Sequence, residues 1–241
     1  MLRRVSAPEG PTRSSKETPK VDRRNFTLLI TAGLVAPLGS TSIAWAAPMT
    51  GNDLAGKMQA FYDKTRTFRA KFKQRYWVEA YRKSKDSNGL VTFEKPGRMS
   101  WRYQNNGNRV VSDGKTIKVY EADNKQMYLQ SVGKSQYPAA LSFLVGGGDL
   151  RKTFKLAMLD AQAMKFEGGY VMMGIPKTPT PAYQKVFFYV DGQTYQVRRV
   201  LLLDAQRNRN RFDFVTPIVN NTVDKGEFEF TPPKGTRIIK P

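Results

Sequence analysis

Residues 91–103 read VTFEKPGRMSWRY. Apolar side chains fall on alternate positions in two short runs, Val91 and Phe93, then Met99, Trp101 and Tyr103. Between the runs stands Lys95-Pro96-Gly97-Arg98, a turn sequence. With Pro96-Gly97-Arg98 as a three-residue loop, Lys95 faces Met99, Phe93 faces Trp101 and Val91 faces Tyr103. All six then share one face of a sheet, apolar except for a cation near one end. A packed core rarely takes such a lysine, because a buried cation needs a partner. Lys95 is therefore a candidate functional residue, with snorkelling to solvent at the sheet rim as the alternative.

The pattern extends in both directions. Leu54, Met58, Phe61 and Tyr62 have the i, i+4, i+7, i+8 spacing of an amphipathic helix, with Thr50 or Asp53 as its cap. From Phe68 the period becomes two. Phe68, Ala70, Phe72, Gln74 and Tyr76 alternate with Arg69, Lys71, Lys73 and Arg75. That predicts a long strand with one apolar and one cationic face. Asp113-Gly114, Asp123-Asn124 and Asp191-Gly192 mark hairpin turns. Further strands are expected at 115–120, 126–130, 154–159, 165–174, 186–190, 195–203, around Phe212 and Phe214, and last at Phe228 and Phe230. Residues 138–145, PAALSFLV, read as a short helix, and Gly146-Gly147-Gly148-Asp149 as its exit. The expectation is a mainly β fold with few helices (α+β). So many antiparallel strands must curl, and the helices must cover the concave face.

Composition narrows the chemistry. The 241 residues include no cysteine and no histidine. Disulfides, thiolate nucleophiles, imidazole acid–base catalysis and the usual zinc clusters are excluded. No nucleophile-elbow, phosphate-loop or zinc-protease motif is present. The reading is a binding protein and not an enzyme, with no metal and no cofactor. Net charge is +20, from 40 Lys+Arg against 20 Asp+Glu. Such a surplus suits an anionic partner, or serves solubility alone.

Residues 1–46 read as an export signal. Residues 1–22 are polar, without periodicity, and are expected to be disordered. Residues 23–46 open with Arg23-Arg24, continue through the uncharged TLLITAGLVAPL at 27–38, and end in Ala44-Trp45-Ala46. Small residues at the last and third-last positions predict cleavage before Ala47. Arg23-Arg24-Asn25-Phe26 partly matches the twin-arginine signal, with Sec export as the alternative. Residues 47–241 are then one domain, expected to act as a monomer in the periplasm.

Five motifs in order carry a family resemblance. They are Phe68-x-Ala70-x-Phe72-x-Gln74; Gly89-x-Val91-x-Phe93-x-Lys95-Pro96-Gly97-Arg98-Met99-x-Trp101; Ser112-Asp113-Gly114-Lys115 with Val119-Tyr120; Leu141-Ser142-Phe143-Leu144; and Phe228-x-Phe230-Thr231-Pro232-Pro233-Lys234-Gly235-Thr236. Over about residues 51–239 the chain resembles the LolA family of periplasmic carriers of outer-membrane lipoproteins. The resemblance implies an incomplete antiparallel β-barrel covered by a helical lid, with a hydrophobic cavity for acyl chains. The partners it implies are acylated lipoproteins, an inner-membrane ABC transporter that releases them, and in many members an outer-membrane receptor. The cavity lining expected on this basis is Met58, Phe61, Phe72, Val91, Phe93, Met99, Trp101, Tyr103, Leu141, Phe143 and Leu144. Each is equally readable as core.

Lys95 is expected to latch the lid or to contact the cargo head group. Some members carry arginine there and phenylalanine in place of Met99; lysine donates from a point charge and cannot fork. Carriage or sensing of another amphiphile, a glycolipid or phospholipid, is the alternative function. Nucleic acid is disfavoured as a partner, because the aromatics are segregated from the cations rather than interleaved with them.

Overall fold

Strict alternation along one stretch sets the middle of the sheet. In the computed structural model, which describes residues 48–132 and 148–240, that stretch is β1 (Thr67–Val78). Phe68, Ala70 and Phe72 are buried on one side, and Arg69, Lys71 and Lys73 are exposed on the other. β1 lies between β2 (Lys83–Glu94) and β11 (Arg209–Val219), antiparallel to both. Beyond β2 come β3 (Arg98–Tyr103), β4 (Arg109–Asp113), β5 (Thr116–Glu121) and β6 (Gln126–Ser131). Beyond β11 come β10 (Val197–Leu203), β9 (Lys185–Asp191), β8 (Gly169–Pro176) and the edge strand β7 (Phe154–Leu159). β12 (Arg237–Ile239) adds to β6 in parallel at the opposite edge. The described residues thus form one open sheet of 12 strands.

Helix α1 (Gly51–Asp63) begins at a capping box, in which Thr50 and Asp53 satisfy each other's backbone N–H. Its buried side carries Leu54, Ala55, Met58 and Tyr62. A helix of 13 residues is about 20 Å long. Seven strands laid flat, from β7 to β2, span about 29 Å. Yet α1 packs on β7 and β8, while the last turn of α1 accepts a hydrogen bond from the β2–β3 loop. The sheet must curl around the helix. Side chains agree: Trp101 on β3 lies 5.3 Å, centroid to centroid, from Phe212 on β11, three strands away.

Two segments cover parts of the convex face. The β7–β8 connection brings Phe166 onto Val171 and Tyr189. The segment after β11 crosses β3, β4 and β5 on that side. Its 3₁₀ turn Lys225–Phe228 puts Glu227 2.5 Å from Arg102, and Phe228 under the Arg98 guanidinium at 4.4 Å. Phe230 then packs against Tyr120, with Arg109 above its ring.

Several expectations change. The decisive hairpin turns one residue earlier than expected. Its loop is Lys95-Pro96-Gly97, so Glu94 pairs with Arg98, Phe93 with Met99, Val91 with Trp101 and Gly89 with Tyr103. Gly97 takes the left-handed backbone position at φ 72, and the Arg98–Glu94 ion pair at 2.9 Å closes the loop. Lys95 therefore leaves the strand and sits in the turn. Phe228 and Phe230 are not in a strand: that stretch has a sheet face beneath it rather than a strand beside it. The strand expected from Lys165 begins at Gly169, because Lys165 adopts a positive φ in the preceding turn. Asp149 caps the N-terminus of the short helix α2 (Leu150–Thr153) rather than completing a helix exit. The expected export signal at 1–46 with its boundary before Ala47, and the helix at 138–145 with Leu141, Phe143 and Leu144, lie outside the described residues.

Candidate functional site

The concave face is where the expected lining residues meet. Phe72, Val91, Phe93, Met99 and Trp101 are all buried within one cluster, together with Met58 from α1. Strand parity puts them there. β1, β2 and β3 pair so that Phe72, Gly89 and Tyr103 stand in one row and Ala70, Val91 and Trp101 in the next. Rings dominate the packing. Phe72 lies edge-on to Trp101 and to Tyr103, each at 5.0 Å, and Phe93 meets Trp101 at 5.7 Å. The rings of Phe72 and Tyr103 meet above Gly89, where a β-carbon would collide with the Arg102 carbonyl and the Phe72 ring. Phe68, Phe212 and Phe214 complete this aromatic floor.

Trp101 stands at the centre and is fully buried. Its indole N–H has no hydrogen-bond partner among the described residues. A buried donor left unpaired costs about 1–3 kcal/mol, so the site holds a polar demand inside an apolar surface. At one rim the apolar surface gives way to Gln74, whose amide donates to Asn210 at 2.8 Å.

Lys95 works at the other rim. Its ammonium donates to the backbone carbonyl of Tyr62, in the last turn of α1, and that carbonyl also accepts the Thr65 N–H at 3.0 Å. The negative end of the helix dipole favours a cation there. Partial burial lowers the Lys95 pKa, and nearby Asp63 acts in the opposite sense. On the same residue of α1, the Tyr62 phenol accepts the Val197 N–H at 3.0 Å, and burial raises its pKa. One turn of α1 is thus tied to the β2–β3 loop through its backbone and to β10 through its side chain.

Phe61 and Tyr103 are half-buried at the edges of the cluster. Phe61 faces an open groove of about 430 Å³ whose lining includes Lys57, Ala60, Tyr195 and Val219. Tyr62, Phe68, Phe212 and Phe214 join the site although the sequence marks them only by apolar periodicity, because nothing local tells that β11 closes on β1 and brings those rings to Trp101. Among the described residues there is no cluster of His, Cys, Asp or Glu able to hold a metal.

The sequence is similar to those of known proteins. The family model described as "Outer membrane lipoprotein carrier protein LolA" matches residues 63–231. The outer-membrane lipoprotein carrier protein of Nitrosomonas europaea is 26% identical over 190 residues, covering 76% of this chain and 87% of the relative. That of Methylibium petroleiphilum is 27% identical over 202 residues, covering 82% and 95%. Among solved structures, a LolA superfamily protein of Nitrosomonas europaea aligns at TM-score 0.43 with 11% identity, covering 76% of this chain and 99% of that one.

Proposed function

Because the chain belongs to the LolA family, we propose that it is a periplasmic carrier that shields the acyl chains of lipoproteins on its concave face. The observation that carries this reading is the concave face itself: an aromatic and methionine-bearing surface drawn from strands on both sides of β1 and closed by one short helix. Acyl chains need such a surface. Each methylene moved from water to an apolar site is worth about 0.8 kcal/mol, so a lipoprotein does not cross water unaided at a useful rate.

Release must be as easy as capture. Edge-to-face rings and the flexible Met58 and Met99 side chains repack around a mobile chain more readily than interlocked branched residues. The proposed gate is the last turn of α1. When the Lys95–Tyr62 bond opens, α1 lifts and its apolar stripe, Leu54 and Met58, is replaced by acyl chain. The unpaired Trp101 N–H would then meet an acyl ester carbonyl, which accepts it. No step makes or breaks a covalent bond, so the role is binding and transfer rather than catalysis. The proposed route runs from an inner-membrane ABC transporter, with residues 1–46 as the export signal, to the outer membrane or a receptor there.

The test is transfer. Exported protein is mixed with inner-membrane vesicles carrying labelled lipoprotein, and the soluble complex is counted. Stoichiometric release that disappears on deacylation is the expected result, with a changed rate for Lys95→Ala. Release without dependence on the acyl chains would overturn the reading. Co-purified glycolipid or phospholipid with no lipoprotein release would replace it with a carrier of that amphiphile. Unchanged transfer by Lys95→Ala would remove the latch from the mechanism.

A further inference from the structure

The convex face carries a second feature, which does not depend on the carrier reading. The β7–β8 connection covers its β8–β10 side, and the segment after β11 covers its β3–β5 side. Between these covers the outward row of β1 is bare. It consists of Arg69, Lys71, Lys73 and Arg75, all exposed. Arg75 is held by Asp86 at 2.7 Å. Asp213, across from Lys73, is already taken by Arg199 at 2.5 Å and Arg211 at 2.6 Å. Arg69, Lys71 and Lys73 have no ion-pair partner among the described residues.

We propose that this basic row docks the protein on a membrane surface rich in anionic phospholipid. Three arguments favour lipid. First, alternate residues of a strand are spaced by about 6.6 Å, and the Debye length at physiological salt is about 8 Å. The three free cations therefore act as one line of charge. Second, all three side chains are exposed, so an approaching head group meets them directly. Third, the row carries no aromatic anchor of the kind that commonly centres a protein interface. Here the cations stand free, and the exposed apolar neighbours across the strand pair are Val215 and Ile218. Lysine ammonium groups on flexible stems suit a fluid array of phosphates.

The geometry also leaves the other face free. Side chains of β1 alternate, so docking through Arg69, Lys71 and Lys73 leaves Phe68, Ala70 and Phe72 and the α1 side untouched.

The experiment is vesicle co-sedimentation of the full chain on phosphatidylcholine vesicles with and without phosphatidylglycerol. Binding should require phosphatidylglycerol and fall steeply with added salt. Each basic residue near an anionic surface is worth about fivefold in partitioning, so Arg69→Ala, Lys71→Ala and Lys73→Ala together should lose on the order of a hundredfold. A control removing the same charge elsewhere, Lys115→Ala, Lys152→Ala and Lys155→Ala, should lose far less. Circular dichroism confirms that both triple variants fold. Equal losses in strip and control would reduce the effect to net charge and overturn docking through the row. Equal binding with and without phosphatidylglycerol would overturn it too, and would assign adhesion to apolar segments. Binding only to native membranes, abolished by protease treatment, would replace the lipid with an acidic protein face.

Discussion

Strand β1 faces two surroundings one residue apart. Phe68, Ala70 and Phe72 lie in the aromatic cluster around Trp101, and Arg69, Lys71 and Lys73 lie in open solvent. The contrast with β3 is instructive. Its outward residues Arg98 and Arg102 are also cations, but there the chain returns to cover them with Phe228 and Glu227. The same chemistry is partnered in one place and left bare two strands away. Cations that serve the fold have acquired ring faces or carboxylates; cations that serve an outside partner have not.

The contrast can be broken by mutation, and the largest effect belongs to the inside. Trp101→Ala should cost about 3–5 kcal/mol in a denaturant titration, since the removed indole touches Phe72, Phe93 and Phe212. A loss under about 1 kcal/mol would mean that the concave face collapses freely and is not a packed core.

The partnered cations come next. Glu227→Gln should cost about 2 kcal/mol, because it removes a charged acceptor from Arg102 beneath the returning segment. Burial first, and then the neighbouring Arg102 charge, lower the Arg109 pKa, while Glu227 opposes both. Added salt should therefore stabilise the Gln variant more than the parent. No salt difference would show that the carboxylate acts by packing alone.

Acid sharpens the contrast at the turns. Asp113 accepts the backbone N–H groups of Thr116 and Lys115, and Asp191 those of Thr194 and Gln193. These bonds hold both carboxyls below the ordinary value of 3.8. Their folded-state pKa is depressed, so their contribution is complete above 3.8 and disappears as pH falls through the lower folded value. Asp113→Asn with Asp191→Asn should flatten the slope of stability against pH in that acid window and lower stability at neutral pH, where the ionised carboxylates make their full contribution. An unaltered slope would assign acid sensitivity to other carboxylates. The smallest effect belongs to the bare row. Lys73→Ala should stay within about 0.5 kcal/mol of the parent, and a larger loss would make Lys73 part of the fold after all.

How far the sequence could be read depended on what kind of signal each element carries. Side-chain parity in 91–103 is robust: moving the turn by one residue changes which residues face each other but not which share a face. Val91, Phe93, Met99 and Trp101 therefore reached the same surface although the loop was Lys95-Pro96-Gly97. Lys95 was the casualty. It fell from the strand into the turn, where its ammonium found the end of α1. The first half of β2, Lys83–Ser87, carried no pattern at all, because a ladder at the exposed end of a hairpin is held by backbone groups and leaves side chains unconstrained. Phe228 and Phe230 misled for the converse reason. Two alternate aromatics fit a strand or a segment laid across a sheet face equally well.

By itself the sequence determined the class of fold, the face shared by Val91, Phe93, Met99 and Trp101, and the segregation of charge onto the opposite face of β1. Period-two alternation fixes those as soon as one side is buried. Only the tertiary structure decided that β11 closes against β1, that Lys95 holds α1 at Tyr62, and that the outer row of β1 stays uncovered while that of β3 does not. Each depends on contacts between residues far apart in the chain, and such contacts leave no local periodicity to read.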